Sequence, residues 1–412
     1  MNLIWLLTSI IQYKFAWDKR DSIQKMKLMF EESGAVWQKF AQMLSTKEDI
    51  IGTELAIEFQ KMLFECPTHS DEYSREIITK MFGNKYDLDK MKQIGSGTIA
   101  QVYVIENNKC IKVRHPNVVR EVMDAISVYD KVKNMFFMPN VLRTVCDNFF
   151  EGLVEQFDFH KEFANGNTFK QLMHENTRPQ HNLFVIPSML DVSDECLVME
   201  YEPSQPLILS GRDKIDKHVL LKCLNGITTL SYQYGYMGFI HADLHPANIG
   251  IRNYDDIDKV QIVIYDFGHM LDMRNVDENI RYNAVKSACI YDFNIISDIL
   301  LGEYPHHKQQ FMNTVSNLGS DKAMYMKKCI MILQYITIHS IDVAKYKICY
   351  MMSLEKNICF NNVIYEIETD TEYQYMHNYI RENNFDTFMD KYFPYDDLQI
   401  LKTRFGDLTP TK

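Results

Sequence analysis

The cysteine pattern offers no zinc or disulfide framework: nine cysteines are scattered along the chain, with no Cys-x-x-Cys pair and no clustered histidine partners. Such usage fits reduced thiols in an intracellular protein. Basic excess is also lacking. A net charge of −11 argues against a nucleic-acid-binding surface, which carries a basic field. Any metal or phosphate site must therefore be built locally. There is no Arg-rich transit peptide, no internal repeat, no low-complexity tract and no obvious flexible linker. The apolar run Leu3 to Tyr13 is too short to span a bilayer and has no basic stretch before it. The preferred reading is a helix packed on the body of the protein. The sharper alternative is peripheral membrane docking. What remains is a globular composition, 46% hydrophobic and 24% charged, over 412 residues. That length suits one large two-lobed domain or two to three smaller ones.

Helical spacing dominates the first part of the chain. It predicts helices over 22–44, 53–64 and 72–82, the last stopped by Gly83-Asn84. Lys39 and Gln42 lie three apart on one face of the first helix, an arrangement that by itself is a solvated face. The pattern then turns to strands. Gln93 to Ile105 is a glycine turn between apolar runs, Asn107-Asn108 closes a hairpin, and Cys110 to Val113 is the next strand. A Gly-x-Gly turn, here Gly95-Ser96-Gly97, lets backbone approach phosphates without a Cβ clash. Alone it marks an ordinary hairpin. Lys112, fifteen residues beyond Gly97 between Ile111 and Val113, raises its value. An ammonium in an apolar strand needs a partner, and phosphates together with a helix glutamate would supply one.

A largely helical region follows from Pro116 to about His174. In it Asp158 and Glu162 are four apart and share a face, and Glu162 is the candidate partner of Lys112. Residues 183–186 and 197–201 read as the two strands of a hairpin, with 200–203 as a hinge. A helix over 215–234 leads to His241-Ala242-Asp243-Leu244-His245-Pro246-Ala247-Asn248. Val263-Ile264-Tyr265 then delivers Asp266-Phe267-Gly268. Asn248 stands five residues after Asp243, and Asp266 eighteen after Asn248. That spacing is what phosphoryl transfer from ATP requires. One carboxylate lies near the attacking oxygen, while an amide and a second carboxylate hold metal ions on the phosphates. Further helices are expected over 276–301, 306–318 and 323–344. No Ala-Pro-Glu follows Gly268. In ordinary protein kinases that region forms the platform for a peptide substrate, so its absence counts against protein phosphorylation.

With these residues in place, the chain resembles the UbiB (AarF-domain) family of atypical protein-kinase-like proteins from about residue 30 to about residue 275. The family's Lys-x-Gly-Gln signature matches Lys39-Phe40-Ala41-Gln42, with Ala41 in place of Gly. Its nucleotide loop ending Ile-Ala-Gln-Val-Tyr matches Ile99 to Tyr103. Its Lys-Val-Arg-His-Pro run matches Lys112 to Pro116. Its Glu-x-Asp and Glu-Ala-x-Asn pairs match Gln156-Phe157-Asp158 and Glu162 to Asn165. Its His-Ala-Asp-x-His-Pro-x-Asn is reproduced at His241 to Asn248.

The resemblance implies an α+β, protein-kinase-like two-lobed fold with an N-terminal helical extension and a mostly helical C-lobe. The corresponding division is 1–90 for the extension, 91–202 for an N-lobe with a helical insert, and 203–412 for the C-lobe. It implies ATP and Mg2+ as cofactors, with Gly95, Ser96, Gly97, Thr98, Ile99, Ala100 and Gln101 forming the nucleotide loop. Lys112 would hold the α- and β-phosphates and pair with Glu162. Asp243 would be the catalytic carboxylate, and Asn248 and Asp266 the magnesium ligands. Lys39 and Gln42 would reach into the cleft near Asp158. The family's activity is linked to quinone synthesis and lipid homeostasis, so a lipid or quinone-like small molecule is the expected partner. Two other readings stay open: a nucleotide-binding regulatory or scaffolding protein with little turnover, and a small-molecule kinase of the aminoglycoside-phosphotransferase kind. The second gives no reason for Lys39 and Gln42.

Overall fold

A computed structural model describes residues 19–32, 34–45, 53–61, 68–97, 99–106, 108–133, 140–175, 182–207, 215–244, 248–320, 322–344, 346–351 and 353. The expectations placed on the Leu3–Tyr13 run, on Thr98, on the side chain of Gln42 and on residues 245–247 lie outside what is described. In chain order the elements are α1 (Lys19–Glu32), α2 (Ala35–Ser45), α3 (Thr53–Lys61), α4 (Asp71–Phe82), β1 (Lys92–Ser96), β2 (Ala100–Val104) and β3 (Lys109–Arg114). Next come α5 (Val118–Val132), α6 (Asn140–Glu155), α7 (Phe159–Glu175), β4 (Phe184–Val185), β5 (Met189–Val192), β6 (Cys196–Glu200) and β7 (Gln205–Pro206). The rest are α8 (Lys217–Met237), β8 (Phe239–His241), β9 (Ile249–Arg252), β10 (Gln261–Ile264), β11 (Met270–Asp272), α9 (Glu278–Ile290), α10 (Phe293–Leu301), α11 (Pro305–Val315) and α12 (Lys322–Ile338). They divide between two compact units, Met1–Ala164 with Ser188–Tyr201, and Asn165–Pro187 with Glu202–Lys412.

The first unit is built on an antiparallel sheet in the order β1-β2-β3-β6-β5. Asn108, in the left-handed region at φ 59°, turns the chain between β2 and β3. Alternation along β3 sends Ile111 and Val113 into a core with Tyr103, Val198 and Ile78 of α4. Each such aliphatic side chain stabilises the fold by roughly 1.5–3 kcal/mol on burial. Lys112 and Arg114 fall on the opposite alternation. The helix α4 is well defined locally: the Ser70 hydroxyl accepts from the Tyr73 amide, and Asp71 and Glu72 sit in the first turn, where the helix dipole favours carboxylates.

Elsewhere in this unit the helices are shorter than their periodicity suggests. The run 22–44 is two helices, not one. Gly34 has φ +91°, a conformation closed to most side chains, and its carbonyl accepts from the Trp37 and Gln38 amides to open α2. Buried Trp37, Phe40 and Ala41 recur on one face of α2, and aromatic contacts Phe30–Phe59 (5.0 Å) and Phe40–Phe149 (5.0 Å) join α1, α2, α3 and α6. Likewise 116–174 holds three helices, α5, α6 and α7.

The expected hairpin of 183–186 with 197–201 does not form. β6 pairs with β3 and β5, whereas β4 runs parallel to β10 in the second unit. The true hairpin is β5–β6. Its turn is closed by Ser193, whose amide donates to Cys196 O at 2.8 Å and whose hydroxyl accepts from the Cys196 amide. Asp191, which breaks the apolar pattern of β5, accepts from Lys85 and from the Tyr86 hydroxyl.

In the second unit the long helix α8 ends at Gly238, φ +81°. A Cβ there would stand 2.9 Å from the Met273 carbonyl carbon and 2.8 Å from an Arg281 nitrogen. The Arg281 guanidinium is buried and donates to Tyr236 O at 2.9 Å, placing a cation at the negative end of α8. Directly after Gly238 comes β8, which pairs with β11 so that His241 stands opposite Met270. The β4-β10-β9-β7 sheet carries the chain to Asp266. The expected helix over 276–301 is two: Tyr291 closes α9 with φ 56°, and the Asp292 carboxylate caps α10 by accepting from the Asn294 amide. Among the described residues no helix is long and apolar enough to cross a membrane.

Candidate functional site

In the first unit the candidate residues converge on β3 and on the start of α7. Lys112 Nζ lies 2.9 Å from both carboxylate oxygens of Glu162. Glu162 is only 1% exposed and Lys112 14%, so the pair is largely withdrawn from water. Two charges so placed need each other, because either one alone would be a buried uncompensated charge. Glu162 also sits in the first turn of α7, where the helix dipole favours an anion. Asp158 has a local task. Its carboxylate accepts from the Lys161 amide at 3.0 Å, so it caps α7 and aims the turn that carries Glu162. Arg114 donates to Phe157 O at 2.6 Å and covers the Phe159 ring, fixing the same entry to the helix.

The glycine loop joins β1 to β2. Gly97 N–H donates to Ala100 O at 2.8 Å, and His115 N–H to Ile99 O at 2.9 Å, so the turn is closed by backbone. Neither glycine here has positive φ. A Cβ at Gly95 would meet nothing within 4 Å, and at Gly97 only Ala100 O at 3.6 Å. Gln101 is not at this surface. It is fully buried, its amide donating to the Tyr103 hydroxyl at 2.5 Å and its oxygen accepting from the His69 amide at 3.0 Å. Lys39 is half-buried on α2, whose Phe40 and Ala41 are buried.

In the second unit Asp243, Asn248 and Asp266 are wired together through backbone. Asn248 Nδ2 donates to Asp243 O at 3.0 Å, and Tyr265 N–H to Asn248 O at 2.9 Å. With its nitrogen committed, the Asn248 amide presents its oxygen as the atom able to face a cation. His241 ties the two loops. The Asp243 amide donates to its Nδ1 at 3.3 Å, and its Nε2 stands 3.2 Å from Tyr265 O, a carbonyl that can only accept. The ring is therefore the neutral Nε2–H tautomer. Ala242 N–H to His269 O at 3.0 Å extends the β8–β11 ladder to the same place. Asp266 has φ 59°, uncommon outside glycine though tolerated by Asp, and its carboxylate accepts from the Gly268 amide. Phe267 is buried beside Phe169 (5.4 Å) and His241 (5.6 Å), and Asn165 Nδ2 holds its carbonyl at 3.0 Å. These contacts clamp Asp266 from behind.

One carboxylate and one amide oxygen suit a hard divalent cation that keeps water and borrows further oxygens from a phosphate, rather than one caged by protein. Among the described residues no group of three or more His, Cys, Asp or Glu could hold a metal ion. Sequence reasoning left Asn165 and His241 without a task, although both lie in the motifs. His69 and His115 had none either, and only the placement of Gln101 and Tyr103 on the same face of β2 could have hinted at a buried polar group there.

The sequence matches the ABC1 atypical kinase-like domain over residues 62–300, more than half of the chain. A probable serine/threonine-protein kinase, abkC, of Dictyostelium discoideum is 29% identical over 238 residues, covering 54% of this chain and 34% of that protein. The probable protein kinase UbiB of Aliivibrio fischeri (strain MJ11) is 24% identical over 264 residues, covering 60% of this chain and 47% of that one. This chain thus spans from about a third to about half of the length of these curated relatives. Among solved structures, the Rv3197–erythromycin complex from Mycobacterium tuberculosis aligns with a TM-score of 0.45 at 14% identity, over 85% of this chain and 95% of that one. The fold is α+β and protein-kinase-like, and the chain belongs to the ABC1/UbiB family of atypical kinase-like proteins.

Proposed function

We propose that this chain binds Mg-ATP and transfers or hydrolyses its γ-phosphate, with a small lipid or quinone-like molecule rather than a protein as the acceptor. The observation that carries the reading is the Lys112–Glu162 pair. A strand lysine held 2.9 Å from both oxygens of a buried helix glutamate is the arrangement that aims an ammonium at nucleotide phosphates. In this reading the loop from Gly95 to Ala100 covers the phosphates. Asn248 and Asp266 hold magnesium, and Asp243 orients the attacking oxygen. Mg2+ would neutralise charge on the transferred phosphoryl group. Lys39 and Gln42 on α2 restrict access to the acceptor, and the division into extension, N-lobe and C-lobe follows the family. The absence of Ala-Pro-Glu after Gly268 supports an acceptor other than a protein hydroxyl.

The acceptor is tested with γ-labelled ATP offered alongside phenols, phospholipid vesicles and a generic protein substrate in parallel. Label in the phenol or lipid fraction, abolished by Asp243→Asn, is the expected result. Label confined to the protein substrate would overturn the acceptor assignment. ATP hydrolysis without any labelled product would leave an ATPase.

A further inference from the structure

Behind the glycine loop the first unit holds a connected set of polar side chains that the proposed chemistry does not use. His115 Nε2 lies 2.9 Å from Gly97 O. Its Nδ1 lies 2.6 Å from Nδ1 of His69, whose Nε2 lies 2.6 Å from Ser74 Oγ. The Ser74 and Tyr103 hydroxyls are 2.9 Å apart, and Gln101 bonds to Tyr103 and to both backbone groups of His69. Ser74 and Gln101 are completely buried, and His115 nearly so. A carbonyl only accepts, so His115 carries its proton on Nε2 and donates to Gly97 O. Two facing Nδ1 atoms at 2.6 Å share a single proton.

We infer that His115, oriented by His69, is a positioning residue for the phosphate loop: it holds the Gly97 carbonyl and so sets the direction of the loop's amides. The inference rests on the nucleotide reading of that loop. Three things support it. His115 contacts the loop twice, by its backbone amide at Ile99 O and by its ring at Gly97 O. The loop is open at its glycines: a Cβ at Gly95 would meet nothing within 4 Å, and one at Gly97 only Ala100 O at 3.6 Å. And the far end of the chain is anchored in α4 and β2 by Ser74, Tyr103 and Gln101, so the ring has a rigid mount. His69 also meets Tyr73 edge-on at 4.9 Å, which fixes its plane.

The test compares His115→Phe, which cannot donate, with His115→Gln, whose amide reaches about as far as Nε2. Two measurements are made on each, amide hydrogen exchange over 97–101 without nucleotide and Mg-ATP affinity by calorimetry. For His115→Phe, faster exchange at Gly97 and about three- to tenfold weaker affinity are expected, the loss of one hydrogen bond, with kcat nearly unchanged. His115→Gln should return to within about threefold of wild type on both. If His115→Phe fails to fold, His115→Asn, too short to reach Gly97, is read the same way. Wild type that binds Mg-ATP while the variants lacking the donor bind equally, with unchanged exchange, overturns the positioning role alone. Wild type that binds no Mg-ATP overturns the nucleotide reading beneath it.

Discussion

The two units hold their candidate residues by different means. In the first, the groups come from far apart in the chain and are buried: Lys112 meets Glu162 fifty residues on, and His69 meets His115 across forty-six. In the second, residues of two short loops are tied by side-chain bonds to backbone carbonyls, Asn248 Nδ2 to Asp243 O and His241 Nε2 to Tyr265 O. The buried set is part of the fold as well as of the site. The loop set holds the carboxylates proposed for the chemistry, Asp243 and Asp266. Substitutions should therefore cost stability in the first unit and turnover in the second.

Breaking the buried pair gives the largest expected effect on stability. Lys112→Met removes the cation that both Glu162 oxygens hold at 2.9 Å, at a cost of about 3–5 kcal/mol. Scanning calorimetry should show the first unit melting roughly 10 °C lower. Adding Glu162→Leu should recover at least half of the loss, since a packed apolar pair replaces a buried ion pair at little cost. No recovery would mean that packing rather than charge balance dominates there. Asp266→Asn probes the other unit. Its unliganded Tm should stay within about 2 °C of wild type, while stabilisation by Mg-ATP, about 2.7 kcal/mol at a hundredfold excess over Kd, should vanish. An Asp266→Asn protein that melts far lower without ligand would erase the contrast between the units.

The smallest effect is in pH. Burial first, and the neighbouring His115 second, depress His69 to about 4, with Asp71 opposing. Its folded value lies below the unfolded 6.5, so the native state binds fewer protons. The stability it confers is complete above pH 6.5 and is lost as pH falls from there towards about 4. The His69 ring is partly open to water, which screens the effect to on the order of 1 kcal/mol. Denaturant midpoints taken across that window should fall in wild type and fall less in His69→Gln.

Much of this contrast tracks what a sequence can carry. The second unit's site was legible because its parts are local: Asp243 and Asn248 share one loop, and a short apolar strand delivers Asp266. Lys112 was legible because a cation between Ile111 and Val113 demands a partner, and Glu162, sharing a helical face with Asp158, was the candidate. The hairpin of β2 with β3 and the end of α4 followed from Asn107-Asn108 and Gly83-Asn84. What failed involved competition between distant segments. Residues 183–186 and 197–201 are both apolar, and only tertiary pairing with β10 and β3 decides that they part. Helix breaks at Gly34 and Tyr291 were hidden by periodicity that resumes in phase after each turn. His69 could not be seen at all, since its partners His115 and Gln101 lie more than thirty residues away.

Turnover at Asp243 is measured by ATP hydrolysis with saturating Mg2+ on wild type and Asp243→Asn matched for Tm. Wild type should hydrolyse ATP measurably and the variant about 10²- to 10⁴-fold more slowly, with Mg-ATP still bound. Equal rates in the two proteins would contradict turnover at Asp243.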